Sequence, residues 1–86
     1  MDQQQIRKDI LNRLKTIKGH IQGIEKMIEE EKACDDVLLQ IAAVKSSLEK
    51  VGSIIVEDHA KECLLRENIT RDEVDKILKT IMKFSK

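Results

Sequence analysis

Residues 34–63 read CDDVLLQIAAVKSSLEKVGSIIVEDHAKEC, and the rest of the chain can be arranged around them. Ile41, Val44, Leu48, Val51 and Ile55 recur at steps of three and four, which predicts one long helix with an apolar stripe. Leu38, Ala42 and Ile54 form a second row that widens the stripe. His59 and Cys63 continue the same face. Four positions apart, they stand one above the other and can grip one soft metal ion together. Cys34 is the natural third ligand, but it lies 25 positions before His59 (59 − 34). At about 1.5 Å of rise per residue that is roughly 37 Å of helix, so one chain cannot close such a site. If the three residues bind together, Cys34 comes from one protomer and His59 with Cys63 from another, as when two copies of the helix lie antiparallel. The bland reading stands beside this one: a free cysteine commonly behaves as a small buried hydrophobe, and a lone histidine on an apolar face commonly has a structural role.

Upstream, Ile6, Ile10, Leu14, Ile17, Ile21, Ile24 and Ile28 recur at helical steps and predict a first helix from about Gln3 to Glu31. Gly19 and Gly23 interrupt it, each costing about 1 kcal/mol relative to alanine. Either another helix backbone passes close there or the helix kinks. His20, between them, has no other candidate ligand three or four positions away. At the Glu-rich end of this helix the sequence turns through Lys32-Ala33-Cys34, and Asp35 or Asp36 is expected to cap the second helix. Cys34 then lies at or just before a helix N-terminus, where the helix dipole favours a thiolate and the neighbouring carboxylates oppose it.

Downstream, Leu65 to Ile69 forms a connection. Thr70-Arg71-Asp72-Glu73 has the pattern of a capping box that opens a third, short helix with Val74, Ile77, Leu78, Ile81 and Met82 on one side. Two helices of about 30 residues, each roughly 45 Å long, with a short third helix, make an all-α hairpin rather than a globule. Such a hairpin leaves an apolar face uncovered, which predicts at least a dimer with the second helix at its centre.

Composition narrows the function classes. The 86 residues make one domain, read as residues 1–86, that is mostly helix-forming, with no proline and one aromatic, Phe84. Sixteen basic and sixteen acidic side chains cancel, so attraction to nucleic acid has to come from local distribution. Five basic residues (Arg7, Lys8, Arg13, Lys15, Lys18) face two acidic ones before Glu25, whereas Glu25 to Asp36 holds six acidic residues and two basic. The polar N-terminus does not read as a signal peptide, and no apolar run approaches the roughly 20 residues of a membrane span, so a cytoplasmic protein is expected. In a reducing cytosol two cysteines are expected as thiols or ligands rather than as a disulfide. Phosphate loops, Ser/His/Asp sets and repeats are absent from the sequence, and nothing completes a Cys/His pair into a catalytic site, so no enzyme is expected.

The stretches Asn12-Arg13-Leu14-Lys15-Thr16-Ile17-Lys18-Gly19-His20, Gly23-Ile24, Gln40-Ile41-Ala42-Ala43-Val44 and Ser46-Ser47-Leu48, with Cys34, His59 and Cys63, resemble the copper-sensitive operon repressor family. This family of small helical bacterial regulators also includes nickel/cobalt, formaldehyde and persulfide sensors. The resemblance covers nearly the whole chain. It implies a three-helix protomer whose antiparallel dimers pair into a disc-shaped homotetramer, and a Cys-His-Cys site for Cu(I) between protomers at Cys34, His59 and Cys63. It also implies binding to double-stranded operator DNA through Arg13 and Lys50. Lys15 and Lys18 join these as basic candidates on the first helix, and Glu73 is the nearest counterpart of a glutamate that supports the metal site in the family.

Ala33 stands where the copper sensors often carry tyrosine. The N-terminus lacks the histidine of the nickel/cobalt members, Cys63 is a residue that formaldehyde members usually lack, and His59 is one that persulfide sensors typically lose. Two thiolates and an imidazole are soft enough to select Cu(I), whereas zinc would want a fourth ligand. The expected function is therefore a DNA-binding repressor released by Cu(I). A persulfide sensor that joins Cys34 to Cys63 of another chain is the nearest rival, and a helical assembly module without a sensing role is a third reading.

Overall fold

The computed structural model describes the backbone of residues 3–65 and 68–85 and the side chains of residues 4–58 and 68–85. Three helices follow one another: α1 (Gln3–Glu29), α2 (Cys34–Leu65) and α3 (Arg71–Ser85). No strand occurs among the described residues, as expected for an all-α chain. By its internal contacts the chain divides into two compact units, Met1–Val51 and Gly52–Lys86. The boundary falls within α2, which the sequence reading treats as the spine of a single domain.

In the first unit α1 and the first half of α2 share a small core of Ile17, Val44 and Val51, with Ile10 and Ile24 packed against it. Ile10, Ile17 and Ile24 are seven apart, and so are Val44 and Val51. Seven residues are almost two helical turns, so each set runs as a nearly straight row along its helix, the spacing of helices that pack side by side. The predicted α1 stripe is thus two rows with different fates. Ile17 is 4 % exposed, whereas Leu14, Ile21 and Ile28, the other heptad row, remain open, Ile28 at 60 %. On α2, Ile41, Leu48 and Ile55 form a third row with the same spacing, and all three are exposed.

Helix α1 ends earlier than its periodicity predicts, for a backbone reason. Glu31 adopts φ = 55°. Lys32 N–H donates to Met27 O at 2.9 Å and Glu31 N–H to Ile28 O at 3.1 Å. This pair of bonds is the Schellman closure, which satisfies carbonyls that the helix would otherwise leave open. Its left-handed position usually holds glycine, and a glutamate there hides the stop from a reading by residue type.

The cap of α2 also differs from expectation. Cys34 is the first helical residue, and Val37 N–H donates to Ala33 O at 3.1 Å. Asp35 and Asp36 therefore stand inside the first turn, not at the cap. Their negative charges still favour the positive end of the helix dipole.

In the second unit, Thr70 caps α3 as expected: Glu73 N–H donates to Thr70 Oγ1 at 3.2 Å and Val74 N–H to Thr70 O at 3.1 Å. Val74, Ile77 and Ile81 are half-buried, whereas Leu78 and Met82 on the next face are exposed. The ring of Phe84 lies against Gly52. The close approach expected at Gly19 and Gly23 is absent within the described chain, since a Cβ at either would have nothing within 4 Å. Gly52 is the glycine whose bare backbone another residue uses.

Candidate nucleic-acid interface and ligand residues

A groove of about 360 Å³ opens between α1 and α2 in the first unit, lined by Arg13, Thr16, Ile17, Ser46, Ser47 and Lys50. On α1 the lining residues stand three and four after Arg13, and on α2 three and four before Lys50, spacings that share one helical face. The α1–α2 hairpin brings positions 13 and 50 to matching heights above its turn. Buried Ile17 forms the floor, and the cations and hydroxyls form the walls.

Arg13 is held from one side. Its Nε donates to Asp9 Oδ2 at 3.1 Å, an i, i+4 ion pair with both side chains about half-exposed. A pair this exposed adds little to stability. Its effect is on orientation, because the bond occupies the Nε edge and leaves the terminal guanidinium donors for another acceptor. None of the groove-lining residues is acidic. With two cations, three hydroxyls and an apolar floor, the groove offers charge-assisted hydrogen bonds to an oxyanion.

Of the residues expected to meet DNA, Arg13 and Lys50 are thus brought together in one groove. Lys15 and Lys18 are exposed on α1 and are not among its lining residues. Thr16, Ser46 and Ser47, which the sequence offers only as part of the stretches that carry the family resemblance and not as DNA contacts, join the groove. Their signal was available in their spacing: Thr16 is three after Arg13, and Ser46 and Ser47 are four and three before Lys50.

For the metal-binding set, Cys34 is a free, exposed thiol at the first position of α2. His59 and Cys63 belong to the last turns of the same helix, and their side chains lie outside the described residues. Among the described residues no cluster of three metal-binding side chains occurs. Glu73 sits exposed in the first turn of α3. His20 is exposed on α1.

A family model described as metal-sensitive transcriptional repressor matches residues 6–83. The copper-sensing transcriptional repressor CsoR of Bacillus subtilis is 35% identical over 80 residues, which span 90% of this chain and 79% of that protein. Among solved structures, the copper-sensing repressor CsoR with Cu(I) from Geobacillus thermodenitrificans superposes with a TM-score of 0.84 at 32% identity, over 100% of this chain and 92% of that one. The nickel-responsive transcriptional regulator InrS superposes with a TM-score of 0.77 at 35% identity, over 90% of each chain. Neighbours with different signals share the three-helix fold, so the fold does not choose the inducer.

Proposed function

Because the chain belongs to the family of metal-sensitive transcriptional repressors, which are regulators and not enzymes, we propose that it grips operator DNA through the Arg13–Lys50 groove and lets go when Cu(I) binds. The observation that carries the reading is the groove, which joins on one surface the two cations that the sequence holds 37 positions apart (50 − 13). Phosphate contacts of this kind position a protein on the duplex without reading its sequence.

The sensed ion is assigned to Cys34 of one protomer with His59 and Cys63 of another. Two thiolates and one imidazole are a soft donor set suited to Cu(I), and the B. subtilis and G. thermodenitrificans relatives are copper sensors. Glu73 is assigned a supporting role beside these ligands. Cys34 opens α2 and the other two residues lie near its far end, which supports a site shared between chains. The exposed heptad rows Leu14/Ile21/Ile28 and Ile41/Leu48/Ile55 supply the apolar surface for an antiparallel dimer and for pairing dimers into a homotetramer. No described helix is long and apolar enough to cross a membrane. The protein is assigned to the cytoplasm, where its DNA lies.

Anaerobic titration of the reduced protein with Cu(I), followed by a DNA-binding assay, tests the reading. Wild type should release DNA as the ion binds, and His59→Ala should bind DNA normally while losing metal affinity or release. Full release of His59→Ala by persulfide, with no response of wild type to Cu(I), would transfer the function to a sulfur sensor that links Cys34 to Cys63 of another chain.

A further inference from the structure

The groove holds three hydroxyls, and the helices treat them differently. Thr16 Oγ1 donates to Asn12 O at 3.2 Å, the same back-bond that Thr80 makes to Lys76 O at 3.0 Å. A hydroxyl has one proton to give, so that of Thr16 is committed to its own helix. Ser46 and Ser47, at the same level on α2, make no side-chain hydrogen bond among the described residues. Ser47 is half-buried between the helices and Ser46 is exposed at the rim, with Lys50 one turn further along the same wall. The apolar floor at Ile17 offers these hydroxyls no acceptor. With no side-chain partner in place, the two hydroxyls are free to give their protons to solvent or to a ligand in the groove, and Arg13 and Lys50 favour an anionic one.

The geometry points to a cradle for a single phosphate group, in which the Ser46 and Ser47 hydroxyls donate to the oxygens that Arg13 and Lys50 neutralise. Thr16 shapes the wall without donating. The inference rests on the reading of this groove as the DNA contact and names the neutral residues that complete it. The phosphate can be a backbone phosphodiester of DNA or a free inorganic phosphate ion, since both present the same tetrahedral oxygens.

The test measures binding of the metal-free, full-length protein to a fluorescently labelled mixed-sequence duplex over a range of salt concentrations. Ser46→Ala/Ser47→Ala should weaken binding about ten-fold, the scale of hydrogen bonds to a charged group. Its salt dependence should stay that of wild type, because no charge is removed. Alanine suits a helix interior better than serine, so this variant keeps its fold, which circular dichroism verifies. Thr16→Val should bind like wild type. Arg13→Ala should lower the slope of log affinity against log salt by about one, as expected for the loss of one phosphate contact.

Wild-type affinity in the double serine variant, alongside weakened binding in Arg13→Ala, would overturn the cradle and leave the DNA reading standing. Wild-type binding and slope in both Arg13→Ala and Lys50→Ala would instead move the DNA contact out of this groove. A competition arm separates the sources. If inorganic phosphate displaces the duplex better than chloride at equal ionic strength, and loses that advantage on Ser46→Ala/Ser47→Ala, the cradle accepts the free ion. If the two salts are equal while the serine effect holds, the backbone phosphodiester is its ligand.

Discussion

The ring of Phe84 fills the space that a side chain at position 52 would occupy: a Cβ built on Gly52 would run into the ring's Cζ and both Cε atoms. A residue in the last turn of α3 is thereby seated on the bare backbone of α2. Gly52→Ala should raise the unfolding midpoint by less than the full helix-propensity gain of about 1 kcal/mol, because the far end of the Phe84 ring, 45 % exposed and free to swing outward, has to give up its seat on α2. In a Phe84→Ala background the same change should deliver the whole gain. Equal effects of Gly52→Ala in the two backgrounds would show that the ring does not use the gap.

Glu31 stands at φ = 55°, where a Cβ is unfavourable, and it places a negative charge beside the negative end of the α1 dipole. Glu31→Gly should raise stability by about 1 kcal/mol through relief of the left-handed strain. Urea denaturation measures it, with Glu30→Gly as the contrast. Glu30 N–H still donates to Lys26 O in the helical pattern, so glycine there should destabilise. A loss of stability in Glu31→Gly would contradict the Schellman closure.

Ile17 and Ile21 are one turn apart on α1, yet the first is 4 % exposed and the second 45 %. Ile17→Ala should cost about 2–5 kcal/mol of folding stability, as expected for a buried isoleucine. Ile21→Ser should leave the helical content of the assembled protein intact and shift sedimentation towards smaller species, making the apparent melting temperature more dependent on concentration. A monodisperse, well-folded monomer in the wild type would remove the partner that Ile21 is assigned.

A site shared between chains predicts complementation. Cys34→Ala and Cys63→Ala each remove one thiolate from every site, so neither homo-oligomer should bind Cu(I) with wild-type tightness. In a mixed dimer one site loses both thiolates and the opposite site keeps both. Co-expression should therefore restore about one intact Cu(I) site per purified heterodimer, the count that follows from pairing one end of each helix with the other end of its antiparallel neighbour. Heterodimers with proven chain exchange and no tight copper would overturn the shared site.

Much of this protein is written in local spacing. The helical periodicity of Ile6 to Ile28 and of Ile41 to Ile55, together with the Thr70 cap, determined three helices and nearly all their boundaries, because a helix and its apolar face depend on residues only three or four apart. The four-residue spacing of His59 and Cys63 and their distance along α2 from Cys34 are likewise properties of one helix, set by its fixed rise per residue. The exceptions came from backbone geometry: Glu31 takes a conformation its residue type disfavours, and Ala33, with no side-chain signal, closes the first bond of α2. Tertiary structure alone decided which apolar row is buried. Rows such as Ile10/Ile17/Ile24 and Leu14/Ile21/Ile28 are nearly equivalent as sequence, and only the position of the second helix separates them. The same packing put Ser46 and Ser47 beside Arg13 and gave Gly52, rather than Gly19 or Gly23, a ring against its backbone. Contacts between helices depend on how one turn folds the chain back, which no periodicity within a single helix records.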